Sequence, residues 1–115
     1  MPARARFIVN CVLVMGCADI ERCRLVERLL QQRGFESRSS DEGAGRCTRS
    51  LEREFASGSA SALLDQVCRD IELAIEPNVP AWKAFVQVCG RESAWATLEA
   101  GKPPVRGSVP APRAG

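Results

Sequence analysis

Apolar residues in this chain of 115 residues recur mostly at helical spacing, between polar breaks. Residues 19–33, DIERCRLVERLLQQR, put Leu25, Val26, Leu29 and Leu30 on one stripe. Arg22, Arg24, Glu27, Arg28 and Gln31 turn away from it, which is the pattern of a helix with one buried face. Asp19 suits its N-cap and Gly34 its end. From Ser61 to Glu76, Leu64, Val67, Cys68, Ile71 and Ile75 repeat the pattern, and Pro77 stops it. In NVPAWKAFVQVCG, residues 78–90, Trp82, Phe85, Val86 and Cys89 fall at i, i+3, i+4 and i+7. Pro80 precedes the run and Gly90 follows it, so the spacing predicts a short helix. Leu51 and Phe55, one turn apart, predict another at 49–56, broken by SGS at 57–59. Trp95 and Leu98 predict a last one at 92–100.

The remaining stretches carry other patterns. FIVNCVLVMGCA, residues 7–18, is almost continuously apolar and reads as a buried N-terminal helix or strand, able to run on into the helix at 19. It is shorter than the roughly 20 residues that cross a bilayer as helix. Arg4 and Arg6 before it, and Gly16 and Cys17 after it, also suit an export or lipoprotein signal ending at Cys17. ESRSSDEGAGRC, residues 36–47, is polar and predicts a mobile loop. GKPPVRGSVPAPRAG, residues 101–115, is rich in Pro and Gly and predicts a disordered tail. No strand is expected elsewhere and no internal repeat is found. The expected architecture is all-α: a small helical bundle filling residues 1–100 as one domain, with the loop at 36–47 and the tail at 101–115.

Composition narrows the function. With 45% hydrophobic residues the chain is globular in type. Its net charge of +2 comes from sixteen basic and fourteen acidic residues. They are interleaved and form no basic face, so nucleic acid is not an expected partner. Tyr is absent and other aromatics are few, which disfavours a base-stacking platform. His is absent too, which removes the commonest metal ligand and general base. The six cysteines have no C-x-x-C spacing. Cys17, Cys23, Cys68 and Cys89 lie in or beside apolar patterns and read as core thiols of a reducing compartment. One or two disulfides remain the open alternative. There is no phosphate-binding Gly-rich loop and no G-x-S-x-G. The pairs Glu52 with Glu54 and Asp70 with Glu72 read as solvated charges, and a cysteine nucleophile would have no His to activate it. The expectation is a cytoplasmic protein that is not an enzyme, has no cofactor or metal and no stable membrane anchor, and acts through its surface.

Two stretches together resemble the Bcl-2 family of apoptosis regulators. LLQQRGFES, residues 29–37, is similar to the end of the family's fourth homology motif, with Leu30, Gln32, Arg33, Gly34 and Phe35 in its places. AWKAFVQVCG, residues 81–90, is similar to the second homology motif through Trp82, Phe85, Val86, Val88 and Gly90. Ala81, Gln87 and Cys89 stand where that motif has Gly, an acid and an aromatic. The first motif is not found, and Leu51 to Phe55 stand where a reduced third motif would lie. The resemblance implies a shortened, virus-type bundle. Trp82, Phe85, Val86, Leu51 and Phe55 would line a hydrophobic groove for the amphipathic helices of pro-apoptotic proteins. A homodimer would cover the faces that a shortened fold leaves bare. Two alternatives stay open: a generic small helical interaction module, and an exported or lipid-anchored small protein without a groove.

Overall fold

The computed structural model describes residues 6–16 and 19–109. It replaces the expected all-α bundle with a six-stranded antiparallel sheet carrying two helices. The apolar run at the N-terminus is β1 (Phe7–Gly16). Phe7, Val9, Cys11, Leu13 and Met15 are fully buried, while Ile8, Asn10 and Val12 between them are exposed. The run looks continuous in sequence because both faces of this central strand carry apolar side chains. It does not continue into the helix after it. Cys17, where an export signal would end, lies outside the described residues.

The two helices with complete stripes are present as expected: α1 (Ile20–Gln32) and α2 (Ala60–Ile75). The Asp19 carboxylate accepts from the Glu21 amide at the start of α1. Gly34, at φ +101°, turns the chain out of it. At α2, Ser59 Oγ accepts from the Ala62 amide. The Glu92 carboxylate, from the far side of the chain, accepts from the Ala60 amide at 2.9 Å. A negative group thus sits at the positive end of the helix.

The other predicted helices are strands. β2 (Glu36–Gly43) occupies the predicted mobile loop, and β3 (Arg46–Phe55) the predicted helix at 49–56. Ala44 and Gly45 join them with φ of 51° and 73°, the left-handed pair that a tight two-residue hairpin requires. β4 (Ala81–Cys89) replaces the helix predicted at Trp82, and β5 (Ser93–Glu99) the one predicted at Trp95. β6 (Lys102–Val109) lies in the stretch expected to be disordered; residues 110–115 are outside the described part.

The strand order is β2-β3-β1-β4-β5-β6. β1 pairs with β3 (Leu13 opposite Arg49) and with β4 (Leu13 opposite Ala84). In order and direction, β1 to β4 with α1 and α2 form the ferredoxin-like βαββαβ arrangement, which β5 and β6 extend as a meander. α2 lies over β4 and β5. α1 lies over β2 and β3 and against α2. Both helices therefore cover one face of the sheet. The core is the layer between: Phe7, Leu13, Met15, Val26, Leu30, Leu51, Val67, Ile71, Ile75 and Val86 are all buried there.

Two polar clusters complete this layer. Arg49 is only 2% exposed; its guanidinium donates to Glu27 of α1 at 2.9 Å and also to Glu42 of β2. Arg33 and Arg53 donate to the two oxygens of Asp70 at 2.9 and 3.1 Å, and the Arg53 guanidinium lies 4.4 Å from the centre of the Phe55 ring. Asp70, expected to be a solvated charge, is buried and doubly paired. Among the described residues no buried side-chain nitrogen or oxygen lacks a partner.

Candidate functional site

Strand alternation decides what the uncovered face of the sheet displays. From β1 it displays Ile8, Asn10, Val12 and Val14; from β4, Lys83, Phe85 and Gln87; from β5, Trp95, Thr97 and Glu99. The register sets Val12, Phe85, Thr97 and Val105 side by side across four strands, since each is opposite the next. The neighbouring row runs through Val14, Lys83, Glu99 and Lys102. On the other side of β1 the face turns polar, with Thr48, Ser50, Glu52 and Glu54 on β3.

Six large apolar side chains are exposed among the described residues, and four of them are on this face: Ile8 at 41%, Val12 at 40%, Phe85 at 43% and Val105 at 58%. Val12, Phe85 and Val105 line a groove of about 310 Å³ together with Val14, Thr97 and Pro103. Lys83, Glu99 and Lys102 form its charged side. Lys102 Nζ is 2.9 Å from the Glu99 carboxylate, whereas Lys83 Nζ is 3.9 Å from it, beyond hydrogen-bond reach. The hydrogen bond from Lys102 holds the Glu99 carboxyl below its usual pKa and raises that of the lysine, so both stay charged at neutral pH. Beside the groove the Trp95 indole lies across Gly107: a Cβ there would fall 2.5 Å from the ring. Glycine is what lets the indole lie flat on the sheet.

The five residues expected to line one helical groove are placed apart. Trp82, Val86 and Leu51 are buried under the helices, and Phe55 lies half-buried against Arg53. Only Phe85 reaches the open face. Trp82 and Phe85, three apart, point to opposite sides of β4, so the helix-lined cleft that the Bcl-2 resemblance implied is not formed by these residues. Val12, Val14, Lys83, Thr97, Glu99, Lys102 and Val105 were missed, although the alternation of Lys83, Phe85 and Gln87 with Trp82, Ala84, Val86 and Val88 carried the strand signal.

The chemistry elsewhere is sparse. Cys11, Cys23, Cys47 and Cys68 are buried. Burial pushes the Cys11 thiol far above its ordinary range. It pushes Cys68 up to about 11, against the lowering effect of Arg106, so neither supplies a thiolate at neutral pH. Among the described residues no group of three or more His, Cys, Asp or Glu is placed to hold a metal ion, and no helix is long and apolar enough to cross a membrane.

Glu42 is the acid whose titration bears on the fold. Hydrogen bonds from Arg24 and Arg49 hold its carboxyl below the ordinary range. Its folded pKa is lower than its unfolded one, so its contribution is complete above the unfolded value of about 4.3 and is lost as the pH falls through the folded value. Urea midpoints between about pH 6 and pH 3 should fall less steeply for Glu42→Gln than for the unaltered chain. An equal fall would show that Glu42 takes no part in acid unfolding.

The chain matches no known protein family, and no characterised protein or solved structure is significantly similar to it. Neither the fold nor these comparisons lend support to a role in apoptosis or to a viral origin.

Proposed function

We propose that this protein is a binding module that takes up a small apolar molecule on the open face of its sheet. One observation carries the reading. The face left bare by both helices bears exposed apolar side chains, Val12, Phe85 and Val105, in one cross-strand row with Thr97, and that row lines a groove. Isolated exposed apolar residues are ordinary, but a contiguous set around a concavity is the usual form of a ligand site. The groove volume is at the low end of the range for such sites, roughly 300–1,000 Å³. The pairing of charges within the chain and the absence of an activated nucleophile among the described residues favour binding over catalysis.

The test is a titration with the neutral dye N-phenylnaphthylamine. Its fluorescence should rise saturably with the unaltered protein. Phe85→Ser should weaken binding about fivefold or more, because most of the dye's contact with that ring is lost. Phe85 lies outside the core, so circular dichroism should be unchanged and the stability read from the urea midpoint should fall by no more than about 1–2 kcal/mol. A dye signal that does not saturate, or that Phe85→Ser leaves intact, rules the face out as the site.

A further inference from the structure

We infer that the molecule held in this groove is an amphipathic carboxylate, a medium-length apolar chain or ring ending in an anionic group, with Lys83 as its counter-charge. The inference rests on the reading of the open face as a ligand site, and adds the class of ligand.

Three features point to it. The groove is asymmetric. Val12, Phe85 and Val105 form its apolar row, and its other side carries two lysines and one glutamate, an excess of one positive charge. That excess is localised. Lys102 is hydrogen-bonded to Glu99 at 2.9 Å, whereas Lys83, whose side chain is 71% exposed, shares the same carboxylate in a looser ion pair at 3.9 Å, with no hydrogen bond between them. Lys83 is therefore the ammonium with donors to give to an incoming anion, and a charge-assisted hydrogen bond beside an apolar wall is stronger than one in open water. The length also fits. From Lys83 on β4 to Val105 on β6 the groove crosses two strand intervals of about 4.8 Å, roughly 10 Å, which matches an extended chain of medium length. The remaining polar lining group is Thr97, whose hydroxyl can donate to or accept from the head group.

The acid nearest Lys83 is Glu99, whose closer partner is Lys102, and the acids of β3 lie farther off. Glu52 and Glu54 lie on the far side of β1, and each is in an ion pair, with Arg38 and Arg6 respectively. They do not offset the positive charge at Lys83. A cationic amphiphile would meet Lys83 in like-charge contact.

The experiment compares decanoate, decanol and decylamine as displacers of N-phenylnaphthylamine from the unaltered chain, Lys83→Met and Phe85→Ser. Binding of decanoate is also measured directly by calorimetry. Methionine keeps the apolar stem of the lysine and removes its charge. Decanoate should displace the dye at a concentration about three- to tenfold lower than decanol, with decylamine the weakest. Lys83→Met should abolish that preference, read as the ratio of the decanoate and decanol midpoints within the variant. Raising the salt from about 0.1 M to 1 M, which shortens the screening length from roughly 10 to 3 Å, should shrink the preference in the unaltered protein. Equal displacement by decanoate and decanol, or a preference that survives Lys83→Met, overturns the carboxylate assignment while the dye titration still supports the face. If neither dye nor decanoate binds, both readings fall. The same holds if sedimentation shows that a second copy of the chain occupies the face.

Discussion

Leu13→Ala lowers the stability of the folded chain by about 2–5 kcal/mol, as measured by urea unfolding. Leu13 is fully buried on the central strand, with Arg49 and Ala84 as its cross-strand neighbours and the helix layer above. Alanine removes its buried methyl and methylene groups. The site also collapses poorly, because β1 is fixed by ladders on both sides. The loss is a large share of the roughly 5–15 kcal/mol that holds a domain of this size together. Val12→Ala, next to it on the same strand but on the open face, should cost less than about 1 kcal/mol, since Val12 is already 40% exposed. The contrast tests the alternation directly. If the stretch were a signal segment outside the folded part, both substitutions would cost little.

Arg49→Ala should cost about 3 kcal/mol, by a different mechanism. The guanidinium is almost wholly enclosed, yet it stays charged. Burial works against the charge, but the hydrogen bonds that the guanidinium donates to Glu42 and Glu27 outweigh it and hold the pKa above its ordinary value. Removing the cation leaves two carboxylates facing each other at the seam between α1 and β2. Glu27 keeps Ser37 and Glu42 keeps Arg24 as partners, which limits the loss. Replacing all three members, as Arg49→Met with Glu27→Gln and Glu42→Gln, should recover most of the stability, because the buried ion cluster itself adds little net free energy. The measurement is the set of urea midpoints for the single and triple variants. A triple variant no more stable than Arg49→Ala would mean that the charges themselves, and not the cost of leaving acids unpaired, hold the seam.

The hidden strands explain why the chain reads as helical. β3 alternates strictly, with Cys47, Arg49, Leu51, Arg53 and Phe55 toward the helices and Thr48, Ser50, Glu52 and Glu54 away from them. Two of its inward residues are arginines, so its hydrophobic pattern thins to Leu51 and Phe55, which happen to be one helical turn apart. β4 has a period of two through Trp82, Ala84, Val86 and Val88. The outward Phe85 supplies an i+3 partner to Trp82 and imitates a helix, although Val86 and Val88 favour strand. β2 carries no large apolar residue, and β6 has only two valines and two prolines, too few to mark a helix or a strand. Each is an edge strand formed by pairing with a neighbour, and Pro103 and Pro104 in β6 are residues that edges tolerate and interiors do not.

What the amino-acid order determined by itself is local. α1 and α2, the cap at Asp19 and the turn at Gly34 follow from periodicity and capping within a few residues, and so does the burial of Leu30, Val67 and Ile71. The absence of His and the even spread of charge were also legible, because they need no geometry. The sheet was decided by tertiary structure, since strand pairing joins residues tens of positions apart and no local pattern records the partner. The groove follows from the sheet. Val12, Phe85, Thr97 and Val105 become neighbours only through the register of four strands, and they stay exposed only because both helices pack on the opposite face.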